Sequence, residues 1–389
     1  MNIVLFDDQA VEHLSPFTLT RPAALLRCGI LTIAEKWQTH TNAAISYLTK
    51  PYLSQKYPSH LISDNYFING RLLPDRDLLY TIQNLNPGEA LKMNDVLLAF
   101  RSENFGDDVK AVKSTENAVL ISRIHHIFTY NHKQIEADFE LLTKGRISAE
   151  LSKTNTVFGQ YPIFVEEGVK AEAAIFNANE GPIYLGKNSE VMEGAMIRGP
   201  FALCESAGIK MGAKIYTGTT VGPHSKVGGE VSNSVIFGYS NKGHDGFLGN
   251  SVLGEWCNLG ADSNNSNLKN NYEEVKLWNY ATGNFERTGL QFCGLFMGDH
   301  SKCGINTMFN TGTVVGVSAN IFGSGFPRNF VPSFSWGGSQ GFETYLPKKA
   351  FQTAEKVMER RQVRLEETDK AILLHVFELE TTYRNWEKS

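Results

Sequence analysis

Hydrophobic and polar positions alternate in two different rhythms along the chain, and the change falls near residue 155. Before it, short apolar runs at Ile3 to Phe6, Ala44 to Leu48, Tyr66 to Ile68 and Val96 to Phe100 have strand length and turn residues at their ends. Between them, Asp75 to Asn84 and Lys133 to Lys144 carry helical spacing. The second of these has Ile135, Phe139 and Leu142 on one face and Gly145 as a stop. This alternation predicts an α/β unit with a mostly parallel sheet.

After it, an apolar residue returns every sixth position: Leu185, Val191, Ile197, Leu203, Ile209, Ile215, Val221 and Val227. Four residues after each stand Ser189, Ala195, Phe201, Ala207, Ala213, Thr219, Ser225 and Val231, most of them small. Met297, Cys303, Phe309, Val315 and Ile321 form a second array, with Ser301, Thr307, Thr313, Ala319 and Gly325 at the fourth place. With about half of residues apolar, eight such hits in one register arise by chance about once in 250 trials. The pattern predicts a left-handed parallel β-helix, in which each hexad makes one short strand and one corner and three hexads make a turn. Phe247, Leu253 and Leu259 keep a fragment of the period between the arrays. An insertion from Asp262 to Gln291 holds AsnTyrAlaThrGly between apolar runs, as a hairpin does. After SerTrpGlyGly at 335–338 the spacing turns helical, and Leu346 to Trp386 predicts two helices broken near Gln362. The expected domains are 1–150, 151–338 and 339–389.

Composition narrows the function classes. With 37 basic and 41 acidic residues the net charge is −4, which gives no electrostatic reason to expect nucleic acid or an anionic membrane as partner. Five cysteines without a CxxC pair suit a reduced cytoplasm better than a disulfide framework. The opening MNIVLFDDQ does not read as a signal peptide, and no run is long and apolar enough to span a bilayer.

ValIlePheGlyTyrSerAsnLysGlyHisAspGlyPheLeuGly at 235–249, followed by LeuGlyGluTrpCysAsnLeuGlyAla at 253–261, resembles the active-site coil of a known family. This is the bifunctional UDP-N-acetylglucosamine pyrophosphorylase/glucosamine-1-phosphate acetyltransferase family. The likeness covers roughly residues 180–330 and extends weakly to a sugar nucleotidyltransferase-like domain in front. It is greatest to a Bacteroidetes-type branch, with ThrArgProAlaAlaLeuLeuArgCysGlyIleLeuThrIle (20–33) where a Gly-rich nucleotide loop would stand. The resemblance implies a homotrimer that acetylates an amino-sugar 1-phosphate from acetyl-CoA, in the supply of nucleotide sugars for cell-wall precursors. Uridylyl transfer by the front domain, with Mg2+, would be the coupled activity.

Carried over residue by residue, the resemblance makes His244 the general base and puts Asn258 and Asn267 on the acceptor sugar, with Leu268 replacing a Tyr. It sets Asp299 and Val317 along the acetyl-CoA channel. Ser232 stands where a phosphate-binding Lys would be expected, so Lys242, His224 and Arg198 are the candidates to replace it. In the front domain Arg21, Arg27, Asn69 and Gly70 are candidate nucleotide contacts, although Asn69 and Arg71 stand where a metal-binding Asp would lie.

The chemistry fits a histidine, whose pKa lies near the working pH and which can take the proton an attacking amine must lose. Without the resemblance, His244 reads equally well as a solvated loop residue beside Asp245. His224, His244 and His300 lack the close spacing of a three-histidine zinc site, so no transition metal is expected. Two other readings stay open. One is a non-catalytic nucleotide-sugar sensor or scaffold, motivated by Ser232, Leu268 and Arg71. The other is an acyltransferase acting on a different amino sugar.

Overall fold

A computed structural model of the chain describes residues 1–115 and 117–387. The front unit is built on a six-stranded sheet in the order Ala44–Leu48, Asn2–Phe6, Asn65–Asn69, Val96–Ser102, Glu89–Met93 and Lys110–Ser114. Only Val96–Ser102 runs against its neighbours, so the sheet is mostly parallel. Helices α1 (Ile33–Thr41), α2 (Arg76–Gln83) and α3 (His126–Thr143) accompany it. Thr32 and Glu35 form a capping box at the start of α1, and Asp75 caps α2, so polar side chains satisfy the free N–H groups of both helix starts. Helix α3 begins about two turns before the predicted Lys133.

From Thr156 onward the chain winds into a three-faced parallel β-solenoid. One face stacks nine short strands, from Ile163–Val165 to Phe330–Val331. The second runs from Lys170–Ala171 to Ser335–Gly338, and the third from Thr156–Gly159 to Phe247–Gly249. Leu185 pairs with Leu203 and Leu203 with Val221, three hexads apart, as the period requires. All thirteen apolar residues of the two arrays enter one buried column. Burying each such side chain stabilises the fold by about 1.5–3 kcal/mol.

The register departs from expectation in three places. Val231 is not a corner residue: it faces inward opposite Ile215, because the coil is shortened after Val227. Leu248, not Phe247, fills the next inward position, opposite Val231. Gly325 is exposed, since the chain leaves the coil after Ile321 and Val331 resumes the stack opposite Val315. The insertion does form a hairpin, Lys276–Asn279 with Asn284–Arg287. A second hairpin, Ser335–Gly338 with Gly341–Thr344, precedes the helices where helical spacing was expected to begin.

Helices α4 (Pro347–Glu359) and α5 (Glu367–Leu379) follow, and Gln362 turns the chain between them with φ +58°. The amide of Val363 bonds the carbonyl of Met358, closing the end of α4 in a Schellman-like turn. Ala350, Ala354 and Met358 of α4 share a core with Trp256 of the solenoid, Leu19 of the front unit and Leu373 of α5. A larger core joins Phe17, Ile68 and Phe128 of the front unit to Val235, Phe237 and Phe296 on the outside of the first face. All five cysteines are buried and free. Among the described residues, no helix is long and apolar enough to cross a membrane.

Candidate active site

The loop carrying His244 stands above Gly228 and Gly229, and the two glycines explain how it can. A Cβ on Gly228 would lie 2.7 Å from the Gly243 carbonyl oxygen, and one on Gly229 would lie 2.9 Å from that of His244. Gly229 also has φ +72°, a backbone that side chains disfavour. The pair therefore lets the loop settle directly onto the coil beneath it.

Lys242 anchors the loop from inside. It pairs with Val227, an inward position, and is almost wholly buried in the aliphatic column. Its ammonium donates to the His244 carbonyl oxygen. Burial lowers its pKa to about 8, against the opposing pull of Asp245 and Asp262. Lys242 was a candidate to grip a substrate phosphate; its ammonium is buried in the coil and held by the His244 carbonyl.

His244 itself is exposed, and its imidazole makes no hydrogen bond among the described residues. It lines a cleft of about 610 Å3 between the second face of the solenoid and α4. Asn258 lies on the same wall, and Lys210, Lys226, Arg360 and Arg361 complete it. Sequence reasoning missed these four. Lys226 had a legible signal, since it precedes the inward Val227 and so had to face out from the second face.

Tyr239 and Trp256 line the cleft as well. They belong to a column of rings at one solenoid corner: His224 on Tyr239 at 4.7 Å between centroids, Tyr239 on Trp256 at 4.2 Å, Trp256 on His300 at 6.3 Å. All four residues have φ of 59–61°, each costing about 1–2 kcal/mol, which ring stacking and burial offset. His224 is thus a stacking residue in this column.

The remaining acceptor and acetyl-CoA candidates lie elsewhere. Asn267 donates to the side chain of Asn250 at 2.8 Å, and Arg198 sits on the third face, 3.5 Å from Glu180. Asp299 is buried where the front unit meets the solenoid. It accepts from Thr20 Oγ1 at 2.5 Å and from the Glu255 amide at 2.7 Å, and pairs with Arg21. Burial alone would raise its pKa, but Arg21 and Thr20 hold it below the usual carboxylate range. Val317 is fully buried beside Leu19 and Phe334. Neither lines the His244 cleft; Asp299 instead lines a smaller cavity of about 220 Å3 at the junction between the two units, with Thr20, Arg21, Glu255 and Trp256.

That ion pair turns Arg21 towards the solenoid, where its guanidinium is held by Asp299 and by Glu255 at 3.1 Å. Arg27 is turned onto its own loop, bonding the Ile30 carbonyl and lying 3.4 Å from Glu35. Asn69 and Gly70 do stand at the C-terminal ends of parallel strands, beside Asp7 and Asp8, where α/β sheets bind ligands. Asn69 donates to Asp8 at 2.9 Å, and Gly70 donates to the Phe6 carbonyl at 2.8 Å. Arg71 grips Asp8 with both Nε and a terminal nitrogen, at 2.9 and 2.5 Å.

Residues 3–147 match the sugar nucleotidyl transferase family. A bifunctional sugar-1-phosphate nucleotidylyltransferase/acetyltransferase of Sulfurisphaera tokodaii is 29% identical over 170 residues, 43% of this chain and 40% of that one. A protein of Escherichia coli O6:K15:H31 named uncharacterized acetyltransferase YaiX is 25% identical over 153 residues, 39% of this chain and 66% of its own. The chain therefore spans less than two-thirds of the length of either relative. Among solved structures, LpxA, a UDP-N-acetylglucosamine acyltransferase from Bacteroides fragilis 9343, is 12% identical with a TM-score of 0.27, covering 58% of this chain and 95% of that one. The solenoid assignment rests on the strand pairing described above.

The family match bears on Mg2+, which nucleotidyl transfer ordinarily uses and which needs carboxylate oxygens free to coordinate it. Asp8 gives both oxygens to Arg71, and Asp7 gives its own to the Ala23 amide at 3.0 Å and the Thr49 hydroxyl at 2.6 Å. Burial raises the pKa of Asp7 to about 6. This donor set does not fit a resident divalent cation.

Proposed function

We propose that the chain transfers the acetyl group of acetyl-CoA to the amine of an amino-sugar 1-phosphate, glucosamine 1-phosphate first among acceptors. The observation that carries this reading is the exposed His244 imidazole, which makes no hydrogen bond among the described residues and stands with Asn258 in a cleft between the solenoid and α4. The names of the two curated relatives support the same reaction class.

In the reaction the amine nitrogen forms a bond to the thioester carbonyl carbon, and the carbon–sulfur bond breaks. His244 takes the proton that the amine loses and returns it to the leaving CoA sulfur. Asn258 offers an amide to the acceptor on the same wall. Lys242 fixes the loop backbone so that the imidazole stays at the rim. We expect His244→Ala to lower CoA release from acetyl-CoA plus glucosamine 1-phosphate at least 100-fold, with an unchanged circular dichroism spectrum and melting temperature. Wild-type turnover in that variant would remove His244 from the mechanism. A cytoplasmic homotrimer belongs to the same proposal, and light scattering would test its assembly.

For the front unit the Asp8–Arg71 pair favours a second reading, that it binds without catalysing. Incubation with UTP, N-acetylglucosamine 1-phosphate and Mg2+ should then release no pyrophosphate; release at enzymatic rates would restore uridylyl transfer.

A further inference from the structure

Four cations line the His244 cleft and no carboxylate does, in a chain whose acidic residues outnumber its basic ones. Among the described residues, none of Lys210, Lys226, Arg360 or Arg361 takes part in an ion pair, and the one side-chain hydrogen bond they make is from Arg361 to Asn241 Oδ1 at 3.3 Å. The nearby acids of α4, Glu355 and Glu359, line a separate groove between α4 and α5. Burial, then Arg361 and Lys210, hold the Lys226 ammonium below the usual lysine pKa, with Glu190 pulling the other way.

Local structure explains how the four meet. Lys226 faces outward from the second face, and Lys210 follows the inward Ile209 one coil below. Arg360 and Arg361 stand at the end of α4, where the turn at Gln362 stops the helix. A helix C-terminus favours a cation by about 0.3–1 kcal/mol, which would account for one arginine and not for four crowded charges. Such crowding is unfavourable until an anion arrives, and arginine pairs in particular suit the bidentate geometry of phosphate oxygens.

We propose that Lys210 and Lys226 of the solenoid, with Arg360 and Arg361 of the same chain's C-terminal arm, form a binding site for a phosphate group carrying at least two negative charges. The site lies in the cleft of the acetyl-transfer reading and deepens it. The phosphate belongs either to the acceptor sugar or to the CoA donor, and both present the same chemistry to the cations.

The test is calorimetric titration of the full chain with inorganic pyrophosphate at low and at physiological salt. We expect one site per chain, weakened by salt as screening requires, and weakened at least tenfold by R360Q/R361Q and separately by K226Q. His244→Ala should still bind pyrophosphate. Competition then separates the sources: displacement by CoA alone assigns the phosphate to the donor, displacement by glucosamine 1-phosphate alone to the acceptor. The proposal is overturned if the wild type does not bind pyrophosphate, or if K226Q binds it as the wild type does. Because K226Q lies on the solenoid, it decides the matter even where the double variant in the arm fails to fold. Loss of pyrophosphate binding in the variants, together with no CoA release by the wild type from acetyl-CoA and any amino-sugar 1-phosphate, would leave the phosphate site standing and remove the acetyl-transfer reading.

Discussion

Lys242 places a positive charge where its neighbours in the stack are Val227 and Leu259, and that position makes an unusual trade visible. Its folded pKa of about 8 lies below the lysine value of 10.5. Between those two pH values the unfolded chain binds more protons than the folded one, so this group makes stability rise as pH rises from about 8 towards 10.5. Lys242→Met should abolish that rise and melt higher than the wild type at pH 7. It should also lose activity, because the loop loses its tether at the His244 carbonyl. Thermal melts across pH, with CoA-release assays, check both signs; an active, less stable variant would contradict the assignment. At this scale the motif at 235–261 named two residues, His244 and Asn258, that the fold brings to one cleft. The sequence misled for Lys242, whose six-residue spacing from Ile236 and Leu248 marks an inward position despite its charge.

The coils themselves were legible because a period that stacks one side chain on the next leaves a trace at every sixth residue. Legibility ended where the period slipped. Shortening after Val227 moved Val231 and Leu248 inward, and only strand pairing reveals it. The same shortened coil holds Gly229. Gly229→Ala would force a Cβ to within 2.7 Å of the Gly246 oxygen and 2.9 Å of the His244 oxygen, in a left-handed backbone. We expect a loss of about 1–3 kcal/mol in stability and at least a tenfold fall in turnover, read from denaturant midpoints and initial rates. Wild-type rates in a well-folded variant would show that the loop does not depend on its seat. The cations from α4 were out of reach of any one-dimensional reading, since only the docking of a helix brings Arg360 and Arg361 beside Lys226.

At the scale of the whole molecule, the front unit, the solenoid and the C-terminal helices share cores. Tyr52 stacks on His375 at 4.1 Å, and Lys56 pairs with Asp369 at 2.6 Å. The buried Arg21–Asp299 pair ties the front unit to the same coil corner that carries the ring column. Arg21→Met would leave Asp299 buried and uncompensated, at a cost of about 3–5 kcal/mol. Adding Asp299→Asn should recover part of that loss, and a double-mutant cycle on unfolding midpoints measures the coupling; additive effects would deny it. Sequence alone assigned these two residues to different ligands in different domains, because nothing along the chain says that they meet.

The central claim is that the cleft between the second face and α4 is where acetyl transfer occurs. A crystal of the full chain soaked with acetyl-CoA tests it most directly. The account predicts the thioester beside the imidazole of His244, inside that cleft. Ordered acetyl-CoA with its thioester at any other surface would contradict it.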